Sequence, residues 1–364
     1  MLSLYAVSAL APFLVADLGL SRAAVGGLAT ASFAVAATLS LVAGHLTDLL
    51  GARRALLALA AAVTVALLAA SAAGSYGWLL AALAVAGVGQ ALANPATNVL
   101  LARAVPTVRR GLAIGVKQSG VQLTVFAAGL VLPPLTAAVG WRAALRWSAL
   151  VPVVLLAAVW WLIPNTTRSA STAGSWWRWS APSRWLAWLM GYSLLLGTGL
   201  AALATYLPLY AAQRLGLDTS AAGGVLAAFG LSGLAARVWW ARWADRLPEV
   251  SGALVWLSAA AAVGVALVGL AGWWPGLVWA GAVGVGATAT AANAVSMLAV
   301  LRHGDSTGHA SGLVSLGFFG GFVLGPNVFG PAADHAGYGW SWLAVGVVFA
   351  SSALLARGVR TPSR

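Results

Sequence analysis

The chain is 364 residues long, 61% hydrophobic and only 7% charged, with a formal net charge of +13. Soluble domains carry about 25% charged residues, so this composition excludes a water-facing surface and asks for lipid as the solvent. There is no cysteine, which excludes disulfides, thiolate metal sites and cysteine nucleophiles.

Apolar runs alternate with short polar breaks along the chain. They predict helical spans at 1–16, 23–44, 54–73, 77–102, 111–138 and 143–163, then at 185–212, 220–241, 252–272, 276–301, 308–333 and 340–356. Alternation with period two is absent and Ala and Leu dominate, so helices rather than a barrel are expected. The longest polar break, 164–184, opens on the helix-stopping pair Pro164-Asn165 and holds Trp176, Trp177 and Trp179. It divides the chain into two bundles of six spans, 1–163 and 185–364, with a linker between them. The tryptophans are expected at the membrane interface, where amphipathic rings gather.

Placing the first loop outside and alternating sorts the charges by side. One side receives Arg53, Arg54, Arg103, Arg109, Arg110, Arg168, Arg178, Arg184, Arg242, Arg246, Arg302, Arg357, Arg360 and Arg364. The other receives Arg22, Arg142, Arg146 and Arg214, while Lys117 and Arg237 fall inside spans. The positive-inside rule then predicts both termini in the cytoplasm and explains the basic balance without nucleic acid. Short loops suit a bacterial inner membrane.

Shifting the chain by 197 residues lays one half on the other without a gap. Gly19 meets Gly216, Gly26-Gly27 meets Gly223-Gly224, Asp48 meets Asp245, Gly140 meets Gly337 and Pro134 meets Pro331. Nine of the fourteen glycines in the first 167 residues land on glycine, where chance would give about two. Six spans per half keep one orientation, so the repeat is parallel, about an axis along the membrane normal. The predicted fold is an all-α integral membrane protein, twelve transmembrane helices as two pseudo-symmetric six-helix bundles, with a cavity between them at mid-depth. Met1 corresponds to Thr198, whereas the seventh span starts near Trp185. The first span is therefore expected to be short, ~24 Å against a core of ~30 Å, through a wrongly assigned start or a truncated chain. It has no basic leading region, so a secretory signal is not expected.

The loop after the second span reads Gly44-His45-Leu46-Thr47-Asp48-Leu49-Leu50-Gly51-Ala52-Arg53-Arg54. Its counterpart after the eighth reads Ala241-Arg242-Trp243-Ala244-Asp245-Arg246, with Arg237 eight residues before the aspartate. Both resemble the signature loop of the major facilitator superfamily, G-x-L-a-D-r-x-G-r-k, although Leu49 replaces a basic residue and Ala241 a glycine. Gly44 and Gly51 are expected to allow close helix approach and a positive-φ turn. The resemblance implies a gate in which Asp48 meets the start of span eleven, Ser306-Thr307-Gly308-His309, and Asp245 meets the start of span five at Gly111. These contacts would latch the halves when the protein is open to the outside. Arg53, Arg54, Arg237 and Arg246 complete the gating set, with Arg53 and Arg54 also serving as positive-inside anchors.

Candidate binding residues follow from polar faces in apolar spans. Gln90, Asn94 and Asn98 share one helical face around Pro95. Span five carries Lys117 with Gln118 and Gln122, and an intramembrane ammonium is a functional candidate unless it snorkels to the headgroups. Span ten adds Thr290 and Asn293, and Tyr5 and Tyr206 complete the expected cavity lining. Helix-to-helix hydrogen bonding is the plainer alternative for any single one of them. The glycines and prolines of spans five and eleven partly resemble the superfamily's antiporter motif, but Pro133 stands where glycine is expected.

All seven acids lie at span ends or in loops, and both embedded charges are basic. An anionic or neutral small solute is therefore expected, moved by uniport, exchange, or symport with a proton on the substrate or a histidine. His45, His303, His309 and His335 lack metal-ligand spacing, and no ATPase motif or enzyme site is present, so no cofactor is expected. The expected partners are a solute and the bilayer, in a monomer. A multidrug or metabolite efflux antiporter of the same fold and a non-transporting receptor or scaffold are the alternatives.

Overall fold

A computed structural model of the chain describes residues 1–104, 110–164, 183–244, 249–303 and 307–359. The described residues form no strand. The helices are α1 (Leu2–Ala9), α2 (Ala11–Leu18), α3 (Arg22–Leu50), α4 (Ala52–Ser71), α5 (Tyr76–Ala104), α6 (Arg110–Val139), α7 (Trp141–Ser148), α8 (Leu150–Leu162), α9 (Arg184–Gln213), α10 (Thr219–Ala244), α11 (Ser251–Leu270), α12 (Leu277–His303), α13 (Thr307–His335) and α14 (Gly337–Ala356). Among the described residues, eleven stretches are long and apolar enough to cross a membrane. The first expected span is instead the pair α1–α2, eight residues each, broken at Leu10. The sixth is α7–α8, broken at Ala149. In both, a proline (Pro12, Pro152) stands in the first turn after the break, where its missing N–H costs least.

Polar residues start the helices. Ser21 caps α3 by accepting from the Ala24 N–H, Ser183 caps α9 by accepting from Leu186, and Asp218 accepts from Ser220 and Ala221 at the start of α10. Glycines end them: Gly19, Gly51, Gly140, Gly216 and Gly337 all have positive φ, from 62° to 82°. Gly19 with Gly216, and Gly140 with Gly337, are repeat partners, so the duplicated glycines make duplicated turns. These four turns lie at one end of the bundle, the short-turn end. Gly51, the end of α8 and the start of α9 lie at the other, the linker end.

The halves meet backbone to backbone. A Cβ on Gly26 of α3 would overlap the Pro326 carbonyl of α13, and one on Gly223 of α10 would overlap the Gly129 carbonyl of α6. Positions 26 and 223 are repeat partners, as are 129 and 326, so one contact is made twice. Between these seams, Ser8 of α1 donates to the carbonyls of Ala204 and Thr205 on α9, the second at 3.2 Å. Ser8 and Thr205 are themselves 197 apart. A residue meets its own partner only on the axis relating the two copies, so the pseudo-twofold passes between α1 and α9.

Polar ties close the short-turn end. The Asp334 carboxylate accepts from the backbone N–H groups of Arg22 and Ala23, at 3.2 and 2.9 Å, and so caps α3 from the opposite half. The Arg22 guanidinium donates to the Ala333 carbonyl and Gln213 Oε1 and lies 4.5 Å from the Tyr338 ring centre. Within the first half, Asp17 accepts from Trp141 Nε1 and from Arg142, both at 2.9 Å. Those two donors hold its carboxyl below the usual carboxylate range. The tie is therefore kept above the ordinary aspartate range and lost as pH falls through the lowered value.

Toward the linker end α3 and α6 each leave one face uncovered. Val42, Leu46 and Leu49 of α3 and Val116 of α6 are exposed. The close approach expected at Gly44 is not made: a Cβ there, or at Gly120, would meet nothing within 4 Å. Close packing is spent elsewhere, within the second half. A Cβ on Gly321 would overlap the Leu194 carbonyl of α9 and lie 2.6 Å from the Thr198 nitrogen. Gly321→Val should therefore destabilise the protein by about 1–3 kcal/mol through overpacking. Gly44→Ala should be neutral or stabilising by up to about 1 kcal/mol. Thermal unfolding of the purified variants checks this, and equal shifts would contradict the packing described.

Candidate functional site

The α6–α10 seam carries the polar residues. Gln118 and Gln122 are one turn apart on α6, Gly233 and Arg237 on α10, and Thr290 and Asn293 nearly so on α12. Each turn is about 5.4 Å, so the three helices present two rungs. On the first, Gly233 has no side chain and those of Gln122 and Thr290 close over it: a Cβ there would lie 2.8 Å from Gln122 Oε1 and 2.9 Å from Thr290 Oγ1. On the second, nearer the linker end, Arg237 reaches across the seam and donates to the Gln118 backbone carbonyl. The Tyr5 hydroxyl of α1 lies within its electrostatic reach.

Burial makes this arrangement costly. Gln122, Arg237 and Asn293 expose 3%, 8% and 9% of their surface, and Tyr5 and Thr290 are buried too. Arg237 is the charged side chain in the core of the described residues, and no acid among them pairs with it. The ion pairs among the described residues, Arg22–Asp334 and Arg142–Asp17, sit at the short-turn end. Arg237 Nε, Gln122 Oε1 and Asn293 Oδ1 are buried without a hydrogen-bond partner. An unsatisfied buried polar group costs about 1–3 kcal/mol, and a charged one more. α6, α10 and α12 thus each bring one buried polar atom without a partner to this cluster.

The α5 face is a second polar strip. Gln90 is buried and donates to Ser32 Oγ of α3 at 3.4 Å. Asn94 is half-buried. Asn98 is exposed and accepts from Lys117 Nζ at 2.8 Å. The ammonium is thus held by an amide between α5 and α6 with part of its surface uncovered, toward the open linker end.

Other expected residues lie apart from these strips. Tyr206 is fully buried at the short-turn seam, where its hydroxyl donates to the Arg22 and Pro326 carbonyls and its ring stacks on Phe329 at 4.5 Å. Gly51 makes the positive-φ turn between α3 and α4. Arg53 donates to the Trp160 carbonyl at 2.6 Å and stacks on its ring, which ties α4 to α8. Arg54 is exposed. The side chains of Asp48 and of the two helix starts expected to face the aspartates, and the residues Asp245 and Arg246, lie outside the described residues. Arg237, grouped with the gate in the sequence, sits instead in the buried cluster with Tyr5, Gln118 and Gln122.

Comparing the halves exposes what counting matches overlooked. Gln122 corresponds to Phe319 and Gly230 to Phe33. At the α3–α13 seam Phe33 packs on Phe322 at 4.5 Å and on Phe319 at 6.1 Å. At the α6–α10 seam the equivalent place holds Gln122 and Gly230. Arg237 and Asn293 likewise face Ser40 and Ala96 in the repeat. One seam is aromatic and the other polar, and the mismatched positions mark the cluster.

Over 159 residues, 44% of this chain, the sequence is 32% identical to the gallate transporter of Pseudomonas putida. The match spans 35% of that relative's length. The sequence pattern of the Major Facilitator Superfamily matches residues 1–267. With eleven membrane-length helices and one seam contact made twice across a 197-residue repeat, the chain belongs to the Major Facilitator Superfamily.

Proposed function

We propose that the protein carries a small anionic solute across the membrane by alternating access, as a secondary transporter. The observation that carries this reading is the unpaired Arg237 buried at a seam between halves that touch toward the short-turn end. An enclosed cation without a protein counter-ion is suited to an anion that visits. Lys117, on the open side of the same helix as Gln118 and Gln122, adds positive potential along the route. The gallate transporter relative supports a carboxylate as the solute, since gallate is one.

The arginine distribution supports an orientation with the linker end and both termini in the cytoplasm, in a cell inner membrane. The short-turn end is then extracellular, and the closed Asp334–Arg22 tie with an uncovered linker end describes an inward-facing form. Segments 1–163 and 185–364 are the two bodies that rock, with 164–184 as the cytoplasmic linker. The ties at Asp334 break when the outside opens, while Asp48 and Asp245 serve as latches at the other end. A proton, if one moves too, travels on the solute or a histidine, since the spans hold no acid at mid-depth.

Two experiments test this reading. The chain has no cysteine, so introduced thiols act without background. Thr30 Oγ1 donates to the Val323 carbonyl at 3.2 Å across the seam. Joining Thr30→Cys to Val323→Cys with a short bifunctional reagent should abolish solute uptake into proteoliposomes, and cleaving the link should restore it. Undiminished uptake through a linked seam would exclude alternating access. Separately, Lys117→Ala should weaken uptake of small carboxylates about tenfold, the scale of one hydrogen bond to a charged group. Unchanged carboxylate uptake in that variant would remove Lys117 from the anion route.

A further inference from the structure

The start of α3 is held by the other half of the protein. Of its first N–H groups, that of Ala24 donates to Ser21 Oγ at 3.1 Å, while those of Arg22 and Ala23 donate to the Asp334 carboxylate on α13 at 3.2 and 2.9 Å. The Arg22 carbonyl accepts from Tyr206 of α9 at 2.8 Å. Gly330, about one turn before Asp334, leaves α13 room to come this close: a Cβ there would lie 2.8 Å from Ala23 Cα.

The repeat partner of this helix start is satisfied locally. Asp218 stands where Ser21 stands, and its carboxylate accepts from Ser220 and Ala221, the counterparts of Ala23 and Ala24, at 2.9 and 3.0 Å. Conversely, Asp334 corresponds to Ala137. Each helix start thus has a carboxylate, but α10 carries its own and α3 takes one from across the seam. A serine hydroxyl covers one N–H here, and a carboxylate covers two. Parting the halves at the short-turn end leaves the α10 cap whole. It strips two N–H groups of α3 of their acceptor, at the positive end of the helix. The Arg22–Asp334 charge pair is the weaker part of the tie, with its atoms 3.9 Å apart and both side chains partly in solvent.

We infer that this cap, lent by one half to the other, sets the resting state of the carrier. Asp334 holds the short-turn end shut through the backbone of α3, and it does so because Ser21 cannot take over both N–H groups when the halves part. The inference rests on the carrier reading above and deepens it, assigning Asp334 and Ser21 to the balance between the two forms. Opening then costs one seam a helix cap and the other seam none.

Spin labels at Ser75 and Trp273, exposed in the two halves at the short-turn end, read that balance in the full chain in lipid. Asp334→Asn keeps the size of the side chain and loses the charge and one acceptor. It should raise the ratio of open to closed about tenfold, the scale of one hydrogen bond to a charged group. Arg22→Gln leaves the backbone N–H groups in place and should raise the ratio less than Asp334→Asn does. Ser21→Asp gives α3 the cap that α10 has and should also raise the ratio severalfold, in high salt as in low, where carboxylate repulsion is screened. Aspartate caps as well as serine, so this variant folds wherever the wild type does. Asp218→Ser should lower the thermal stability and leave the ratio unchanged. The inference is overturned if Asp334→Asn or Ser21→Asp keeps the wild-type distribution, or if Arg22→Gln opens the end as far as Asp334→Asn. Two populations that ignore these substitutions remove the cap and keep the carrier reading, whereas one fixed distance in every variant removes both.

Discussion

The structure depends on bare backbone where the two halves touch. Gly26 lies against the Pro326 carbonyl and Gly223 against the Gly129 carbonyl, and neither position has room for a methyl group. Lipid offers no hydrophobic drive for helices to associate, so close van der Waals approach and hydrogen bonds must hold them. Two equivalent glycine contacts on either side of the Ser8–Thr205 axis supply that approach without welding the halves together. The polar ties that reinforce these contacts, Asp334 to the start of α3 and Arg22 to Gln213, are at the surface of the short-turn end. Such a seam can part by rotation.

On the proposed reading, rotation about that seam brings the buried cluster to the solute. Arg237 is poorly satisfied as a structural residue: its Nε lacks a partner, and its bond among the described residues, to the Gln118 carbonyl, is neutral. Satisfied polar networks stabilise a core, and half-satisfied ones cost stability. A binding site accepts that cost because the solute removes it. Duplication explains how the polar cluster arose on one seam. The ancestral contact is preserved at the glycines, while residues one to about four turns away have diverged, to phenylalanine on α3 and α13 and to glutamine and arginine on α6 and α10.

Much of this was readable in the chain. Few charges and long apolar runs dictated helices in lipid, and the 197-residue repeat dictated parallel halves. Turn glycines such as Gly19, Gly140, Gly216 and Gly337 kept their conformational role in both copies. Gln122, Thr290 and Asn293 stood out as polar groups in apolar helices, and the structure gathers them. Other features were hidden for physical reasons. Arg237 matched a loop motif in sequence, and only tertiary packing reveals that its side chain crosses to α6. Tyr206 reads as an amphipathic lining residue, yet its hydroxyl is consumed by two carbonyls at the seam. Gly44 carries the signature of close packing but sits where α3 stands clear. The break at Leu10 needed Pro12 to be read as a first-turn proline of a new helix rather than as a tolerated kink.

The central claim is that the halves rock about the glycine seam, and distances at the two ends measure it most directly. Spin labels at Ser75 and Trp273, exposed in the two halves at the short-turn end, and at Leu50 and Glu249, exposed at the linker end, report each side of a cysteine-free chain in lipid. The account predicts two populations in both pairs, with solute or pH shifting them in opposite directions, one end widening as the other narrows. Distances that stay fixed at both ends, or that widen together, would contradict it.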